Sequence, residues 1–172
     1  VDACRNHDMR PALYYSVADW SDSGYVDGPI KNPKGWAEFI KKAHNQLKEL
    51  MSNYGQIDYL FYDGCPPAAA WKGAEINREL RELQPGLLIS DRCGVDEDIA
   101  SSENHLEPHQ KPWECCMTTT SFSWCCDSAN INRKSAYQII RPLTQTIHTG
   151  GNFLLNMGPM ADGSPLPEDL KL

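Results

Sequence analysis

The sequence predicts an α/β fold built on a parallel sheet, and two features of its pattern lead to that prediction. Short apolar runs of the length of buried strands alternate with longer stretches in which apolar residues recur every three or four positions. No internal repeat or low-complexity segment interrupts this alternation. Strands that alternate with helices along a chain pair in parallel, because each helix carries the chain back to the end of the sheet where it began.

Two architectures fit four or five such strands: a small doubly wound sheet, or part of a (β/α)₈ barrel. A whole barrel takes about 250 residues. The chain has 172 residues, and both its first and its last predicted elements are incomplete. We therefore expect residues 1–172 to form an incomplete (β/α)₈-like (TIM-type) barrel that corresponds to its C-terminal half.

The predicted elements can be placed in chain order. Residues 1–9 suit the tail of a helix, and the chain closes at 167–172, where another helix only begins. Residues 17–33 and 93–112 are polar and aperiodic, and they predict long loops. We predict strands at 12–16, 57–62, 87–90, 114–124 and 152–156, and helices from Pro33 to the turn at 53–55, at 71–84 and, kinked near Pro142, at 134–149.

Helix boundaries have local signals. Asn32 is the predicted cap of the helix that begins at Pro33, and Pro85-Gly86 ends the next one. Gly150-Gly151 is better interpreted as a helix stop than as a phosphate-binding turn. The predicted inward residues are Trp36, Phe39, Ile40, Ala43, Leu47, Leu50 and Met51 in the first helix, and Ile76, Leu80 and Leu83 in the second.

Composition excludes several classes of function. With 41% hydrophobic and 23% charged residues, the chain is typical of a globular protein. The net charge of -7 and the lack of a basic stripe argue against a nucleic-acid partner. No apolar run is long enough for a membrane span, and the first residues show no signal peptide. No cofactor is predicted, and the oligomeric state is left open.

The seven cysteines do not predict a metal site. They are Cys4, Cys65, Cys93 and the adjacent pairs Cys115-Cys116 and Cys125-Cys126. No C-x-x-C motif has a second half, so a zinc site is not expected. We expect most of them to be small buried residues, and a bridge between the two adjacent pairs stays open.

Asp63 is the candidate catalytic residue that the residues themselves indicate. Residues 57–62 form an apolar and aromatic run without alternation, which predicts a strand buried on both faces. Asp63 follows at the carboxyl end of that strand, and Gly64 lets the chain turn. In parallel α/β folds this end of the sheet carries the chemistry. The alternative is an Asp that caps a helix or starts a turn.

Other polar and aromatic residues follow the predicted strands. Two carboxylates near an arginine and aromatic rings suit a glycosidase, in which one acid attacks and another gives and takes a proton. Taken singly, Trp124 fits a core residue and Glu114 a solvated rim charge. No G-x-S-x-G, H-E-x-x-H or P-loop motif competes. The group comprises Tyr14, Tyr15, Arg92, the loop acids Glu103, Glu107 and Glu114, Trp113 and Trp124.

Motifs along nearly the whole chain resemble the family 29 α-L-fucosidases. The most specific block is Gly150-Gly151-Asn152-Phe153-Leu154-Leu155-Asn156-Met157-Gly158-Pro159 with Asp162-Gly163. Before it stand, in order, Leu13-Tyr14-Tyr15-Ser16, Asp19-Trp20, Tyr62-Asp63-Gly64, Leu83-Gln84-Pro85-Gly86-Leu87-Leu88-Ile89, Asp91-Arg92, Pro112-Trp113-Glu114 and Ser123-Trp124. The resemblance implies retaining exo-hydrolysis of α-L-fucosides on a (β/α)₈-like barrel that is usually followed by a β-sandwich. It places the N-terminal strands and the sandwich outside this chain.

The resemblance also implies residue roles. The nucleophile falls on Asp63, and the acid/base falls on Glu103, in the loop after Asp91-Arg92. Contacts to fucose carry over to Tyr14, Phe61 (where relatives often have Trp), Arg92 and Trp124. Two departures are that Cys125-Cys126 replaces a common Gly-Tyr, and that the family's His pair is absent with the N-terminal strands.

The resemblance implies a fucosylated glycan or glycoconjugate as substrate and an extracytoplasmic location. One alternative is an inert relative or fragment that binds fucose through Tyr14, Arg92 and Trp124. A doubly wound phosphosugar domain is disfavoured, because no Gly-rich turn follows a strand. We expect residues 1–172 in isolation to be a poor enzyme, because a half-barrel leaves sheet edges unpaired.

Overall fold

The computed structural model describes residues 1–121, 123–126 and 132–172. The chain divides into two compact units, Val1–Ile99 and Ala100–Leu172. In the described residues, each unit contains one three-stranded sheet, and every strand pairs with its neighbour in parallel. The prediction of an α/β fold with parallel strands is confirmed.

The first unit has strand order β1-β2-β3, and helices connect the strands. Its elements are α1 (Asp2–Asn6), β1 (Ala12–Ser16), α2 (Ser23–Lys31), α3 (Pro33–Asn53), β2 (Tyr59–Asp63), α4 (Ala68–Trp71), α5 (Gly73–Leu83), β3 (Leu88–Ile89) and a 3₁₀ turn (Asp91–Cys93). The second unit has order β4-β5-β6. Its elements are β4 (Ala100–Glu103), β5 (Trp113–Thr118), α6 (Ala136–His148), β6 (Asn152–Asn156) and a 3₁₀ turn (Asp169–Lys171) in place of the predicted final helix.

Helix α3 begins where the sequence predicts. The Asn32 side chain accepts a hydrogen bond from the Gly35 amide at 2.9 Å, and Pro33 occupies the first turn, where no amide donor is needed. Its predicted stripe is buried except for Leu50, which is only half-buried. The stripe packs into the core of the first unit, and this packing holds the helix in place.

Strand β2 is buried on one face only, which corrects the prediction of a strand buried on both. Leu60 and Tyr62 are buried, whereas Tyr59, Phe61 and Asp63 are half-buried. Successive side chains of a strand point to opposite faces, and the core of the unit covers just one of them. Aromatic residues on the second face hid the alternation in the sequence.

Four other boundaries differ from the prediction. The predicted loop at 17–33 contains α2, which Asp22 caps, and the loop at 93–112 contains β4. The helix predicted at 71–84 is α5, which begins at Gly73, and the short helix α4 that precedes it was not predicted. Lys72 separates the two because it adopts a left-handed conformation. Strand β5 ends at Thr118, well before Trp124.

Leu83 is exposed, although the pattern predicted it to face the core. Its side chain is 46% exposed, whereas Leu80 in the same helix is 0% exposed. Leu80→Ala should therefore lower the free energy of unfolding by about 2–5 kcal/mol through lost burial and a residual cavity. Leu83→Ala is the matched control and should change it by less than about 0.5 kcal/mol. Urea unfolding checks both, and equal losses would contradict the packing of α5.

The second unit packs a small core of Ala100, Trp113, Cys115 and Met117. Helix α6 starts with a capping box formed by Ser135 and Gln138, contains Pro142, and ends at His148, two residues before Gly150, which has φ +80°. The predicted helix stop at Gly150-Gly151 is confirmed. A Cβ on Gly151 would lie 2.4 Å from the Trp113 ring, so this close approach needs glycine.

All seven cysteines lie in the described residues and all are free, so the bridge that the sequence left open is not formed. Only Cys93, Cys115 and Cys116 are buried, so the expectation that most of the cysteines are buried is wrong. Cys4 and Cys65 are half-buried, and Cys125 and Cys126 are exposed. Over the described ranges, no helix has the length and apolar character to cross a membrane.

Candidate active site

The carboxyl ends of β1 and β2 bring the first candidate residues together. The two strands pair in parallel with Tyr14 opposite Phe61 and Ser16 opposite Asp63. The Val17 amide donates to the Asp63 carbonyl at 2.9 Å and closes this end of the ladder. Gly64 then turns the chain with φ +58°, where a Cβ would lie 2.8 Å from the Ala18 Cβ. The register therefore fixes Asp63 at the strand end.

Each oxygen of the Asp63 carboxylate accepts a hydrogen bond. The Tyr14 hydroxyl donates to Oδ2 at 2.5 Å, and the Arg92 guanidinium donates to Oδ1 at 2.7 Å. Arg92 lies on the 3₁₀ turn directly after β3. One side chain from β1 and one from the turn that follows β3 thus converge on the carboxylate at the end of β2, which fixes its orientation.

The ring of Phe61 contacts both residues that hold this carboxylate. Its ring stacks on the Tyr14 ring at a centroid distance of 5.8 Å and an interplanar angle of 17°. The Arg92 Cζ lies 5.2 Å from the Phe61 centroid. The structure therefore brings four of the sequence-predicted site residues into one cluster: Tyr14, Phe61, Asp63 and Arg92. We refer to these four residues as the Asp63 cluster.

The surroundings of Asp63 favour its ionised form. Burial alone would raise the pKa of the carboxyl, but the hydrogen bonds from Tyr14 and Arg92 and the charge of Arg92 outweigh burial and lower it. An ionised carboxylate with fixed oxygens, next to an apolar ring, can attack an electrophilic carbon.

Glu103 occupies the corresponding position in the second unit. It is the last residue of β4 rather than part of a loop, and it is half-buried. Asn104 follows with a positive φ of 57°, and its amide donates to the Cys116 carbonyl at 2.9 Å. These contacts fix the main chain at the carboxyl end of β4, where Glu103 lies. The sequence missed this strand because Ser101 and Ser102 give it no apolar signal.

The two other candidate acids have different environments. Glu107 Oε2 lies 3.0 Å from Nε2 of His105, whose Nδ1 lies 2.8 Å from the Glu103 carbonyl. Both ring nitrogens face acceptors, so the imidazolium form can donate to both. The hydrogen bond to Glu107 is the main cause that raises the pKa of His105, and the bond to the Glu103 carbonyl adds to it. Glu114 is buried on β5 and accepts from Ser101 at 3.2 Å. It is not the solvated rim charge that the sequence allowed.

Trp124 is half-buried and lies after β5 on a segment that strand-end side chains hold. Its carbonyl accepts from Asn156 Nδ2 at 3.0 Å. The preceding Ser123 carbonyl accepts from the Thr118 and Thr120 hydroxyls at 2.7 and 2.8 Å. Glu103 and Trp124 therefore both lie at carboxyl ends of strands in the second unit.

Lys134 is a supporting residue to which the sequence gave no role. Its Nζ donates to the Thr118 and Thr120 carbonyls at 2.6 and 2.7 Å, which stiffens the segment that leads to Trp124. Desolvation lowers the pKa of this lysine. No sequence signal marks it, because a lysine before a helix cap is ordinarily solvated. Within the described ranges, no group of three or more His, Cys, Asp or Glu side chains is placed to hold a metal ion.

A fixed, ionised carboxylate at the end of a parallel strand, beside an arginine and aromatic rings, suits one of the two acids of a glycoside hydrolase of the α/β class. Comparison with known proteins identifies the family. The sequence profile described as Alpha-L-fucosidase matches residues 1–171, and the chain belongs to this family.

Individual relatives agree with this assignment. Tissue alpha-L-fucosidase of Rattus norvegicus is 30% identical over 96% of this chain and 39% of its own length. The structure of alpha-L-fucosidase isoenzyme 1 from Paenibacillus thiaminolyticus superimposes with a TM-score of 0.87 at 30% identity, over 99% of this chain and 48% of that one. The structure of a GH29 alpha-L-fucosidase from Bacteroides thetaiotaomicron, trapped as a covalent intermediate with 2-fluoro-fucosyl fluoride, superimposes with a TM-score of 0.87 at 26% identity. The match covers 98% of this chain and 45% of that one. The chain thus spans less than half the length of these relatives.

Proposed function

We propose that the protein carrying this chain is a retaining exo-α-L-fucosidase, with Asp63 as its nucleophile and Glu103 as its acid/base. The observation that carries the proposal is the Asp63 carboxylate, ionised and held by Tyr14 and Arg92 at a strand end, in a chain of the alpha-L-fucosidase family. The covalent intermediate trapped in the Bacteroides relative with a fucosyl fluoride supports a retaining route.

In the proposed reaction, Asp63 Oδ attacks the anomeric carbon of fucose while Glu103 gives its proton to the departing oxygen. The bond from the anomeric carbon to the aglycone breaks, and a fucosyl ester of Asp63 forms. Glu103, now ionised, takes a proton from water, whose oxygen attacks the same carbon and releases fucose. Phe61 offers an apolar surface to the sugar, and Trp124 is proposed as a second one.

We further propose that both three-stranded sheets belong to the C-terminal half of a (β/α)₈-like barrel, with the N-terminal strands and a β-sandwich outside residues 1–172. The parallel pairing and the likeness to the Paenibacillus fucosidase support this assignment. So do the exposed apolar side chains of Leu154 and Leu155 on β6, which is an edge strand of its sheet in the described residues.

The proposed substrate is a terminal α-L-fucosyl group on a glycan, and the proposed location is extracytoplasmic. A fucosidase from Lactobacillus casei solved with its alpha-L-fucose product is 28% identical, with a TM-score of 0.78 over 97% of this chain and 59% of that one. Relatives named tissue and plasma fucosidases support the location.

Hydrolysis of an aryl α-L-fucoside by the full-length protein tests the proposal. Turnover with net retention at the anomeric carbon, followed by NMR, is the expected result. Binding of L-fucose without turnover would instead favour the inert carbohydrate-binding alternative.

The hydroxyl of Tyr14 should set the acid limb of the activity profile. Tyr14→Phe removes one of the bonds that lower the pKa of Asp63, so the pKa should rise. A higher pKa means that Asp63 becomes protonated at less acidic pH, so the acid limb of kcat/KM should move to higher pH. The matched control is Tyr15→Phe, because the hydroxyl of Tyr15 donates to Gln46 at 2.8 Å and not to Asp63. An acid limb that Tyr14→Phe leaves in place would contradict the assigned role.

A further inference from the structure

Trp20 differs from every other tryptophan of the chain. All five tryptophans lie in the described residues, and Trp36, Trp71 and Trp113 are buried while Trp124 is half-buried. Trp20 is 84% exposed. Single exposed apolar side chains are common on protein surfaces. A large aromatic ring that is also held in place, however, offers a flat apolar face to a ligand.

The segment that carries Trp20 is fastened on both sides of the ring. Asp19 Oδ1 accepts from the Ser21 amide and hydroxyl at 3.1 and 2.6 Å. Lys42 on α3 donates to Asp19 at 2.9 Å and to Asp22 at 2.7 Å. The Ser21 and Lys42 hydrogen bonds lower the pKa of Asp19 to about 2. Asp19 therefore stays ionised, and keeps these hydrogen bonds, over the working range of pH.

Helix α2 fastens the segment further along the chain. Asp22 caps α2 by accepting from the Gly24 amide at 2.8 Å. A Cβ on Gly24 would lie 2.2 Å from the Gly35 carbonyl oxygen, so the start of α2 is packed directly on α3. These contacts hold the main chain on both sides of Trp20 in place. A ligand that binds to the indole therefore costs less conformational entropy of the protein.

The position of this turn relates Trp20 to the Asp63 cluster. Trp20 follows the carboxyl end of β1, the same end at which β2 carries Asp63, because the strands are parallel. In the described residues no ring contact joins Trp20 to Tyr14 or Phe61. Trp20 therefore lies at the catalytic edge but outside the group that holds the reacting carboxylate.

We propose that Trp20 is the platform for the leaving-group sugar, the pyranose to which fucose is attached. The inference rests on the proposed function. A flat indole face packs against the C–H surface of a pyranose, and a braced ring loses little freedom when it does so. Trp20 acts on substrate selection and has no part in bond breaking, so its contribution depends on whether the leaving group is a sugar.

Two substrates of the full-length protein separate this role from catalysis. The first is α-L-fucosyl-(1,6)-N-acetylglucosamine, which has a pyranose leaving group, and the second is α-L-fucosyl fluoride, which has none. Trp20→Ala should lower kcat/KM for the disaccharide by about tenfold or more, mainly through KM, and leave the fluoride within about twofold. Trp20→Phe, which keeps an aromatic face, should recover much of the loss.

The control is Tyr137→Ala, which removes another exposed aromatic ring (69% exposed) from α6 and should change neither substrate. If Trp20→Ala lowers both substrates equally, or neither, the inference is wrong, and an equal loss with lower stability would mean that Trp20 has a packing role. If the wild-type protein hydrolyses neither substrate, the proposed function itself fails. If Trp20→Ala hydrolyses the disaccharide and the fluoride with the same relative kcat/KM as the wild type, the proposed role of Trp20 is wrong while the proposed function stands.

Discussion

Asp63→Gly in the full-length protein is expected to lower kcat for an aryl α-L-fucoside by about a thousandfold or more, a loss of ~4 kcal/mol in transition-state stabilisation. Without the carboxylate no fucosyl ester can form, and water must attack directly. The fold should survive, because Asp63 is half-buried and its main-chain contact to Val17 does not need the side chain. Retention of more than about a tenth of the rate, only ~1.4 kcal/mol, would contradict the nucleophile assignment.

Azide provides the sharper test of the same variant. The space left by the missing carboxylate admits a small anion, and Arg92 remains to attract it. Azide should therefore restore turnover and yield a fucosyl azide of inverted configuration, because the anion attacks from the side on which Asp63 acts. The control is Tyr15→Phe, which should need no rescue, since Tyr15 donates to Gln46 rather than to Asp63. Rescue of the wild type and the variant to the same extent would show that azide acts elsewhere.

Glu103→Ala is expected to lower kcat/KM by about a hundredfold or more for a substrate with a poor leaving group, and much less for an activated aryl fucoside. A poor leaving group needs the proton that Glu103 supplies, whereas a stabilised phenolate departs without it. With the activated substrate the second step should become limiting, because no base remains to activate water.

Glu107→Ala is the matched control, since Glu107 is held by His105 in the segment that follows β4. It should lack this dependence on the leaving group. If Glu107→Ala or Glu114→Ala shows the dependence and Glu103→Ala does not, the acid/base assignment is wrong. Replacing Glu114 needs a stability measurement beside it, because its side chain is buried.

The features that the sequence predicted well depend on neighbours in the chain. Asn32 caps α3 through the amide three residues on, and Gly150 ends α6 because it reaches a positive φ. The placement of Asp63 at a strand end is equally local, since an apolar run and a glycine flank it. The parallel pairing followed from the order of strands and helices.

The features that were missed depend on distant partners. Strand β4 carries two serines and is held by pairing with β5, which a local pattern cannot reveal. Leu83 keeps the helical period but lies beyond the packed face of α5. The bond from Tyr14 to Asp63 joins residues far apart in the chain, and it exists because the β1–β2 register aligns Ser16 with Asp63. The resemblance to a family indicated these residues, but not their contacts.

The central claim is that Asp63 attacks the sugar, and a trapped ester tests it most directly. The full-length protein should be incubated with 2-fluoro-fucosyl fluoride, whose ester is hydrolysed slowly because fluorine destabilises the positive charge that develops on the sugar. Proteolysis and mass spectrometry should then find the fluorofucosyl group on the peptide that contains Asp63, and Asp63→Gly should show no adduct. A label on Glu103, Glu107 or any other residue, with Asp63 unmodified, would contradict the account.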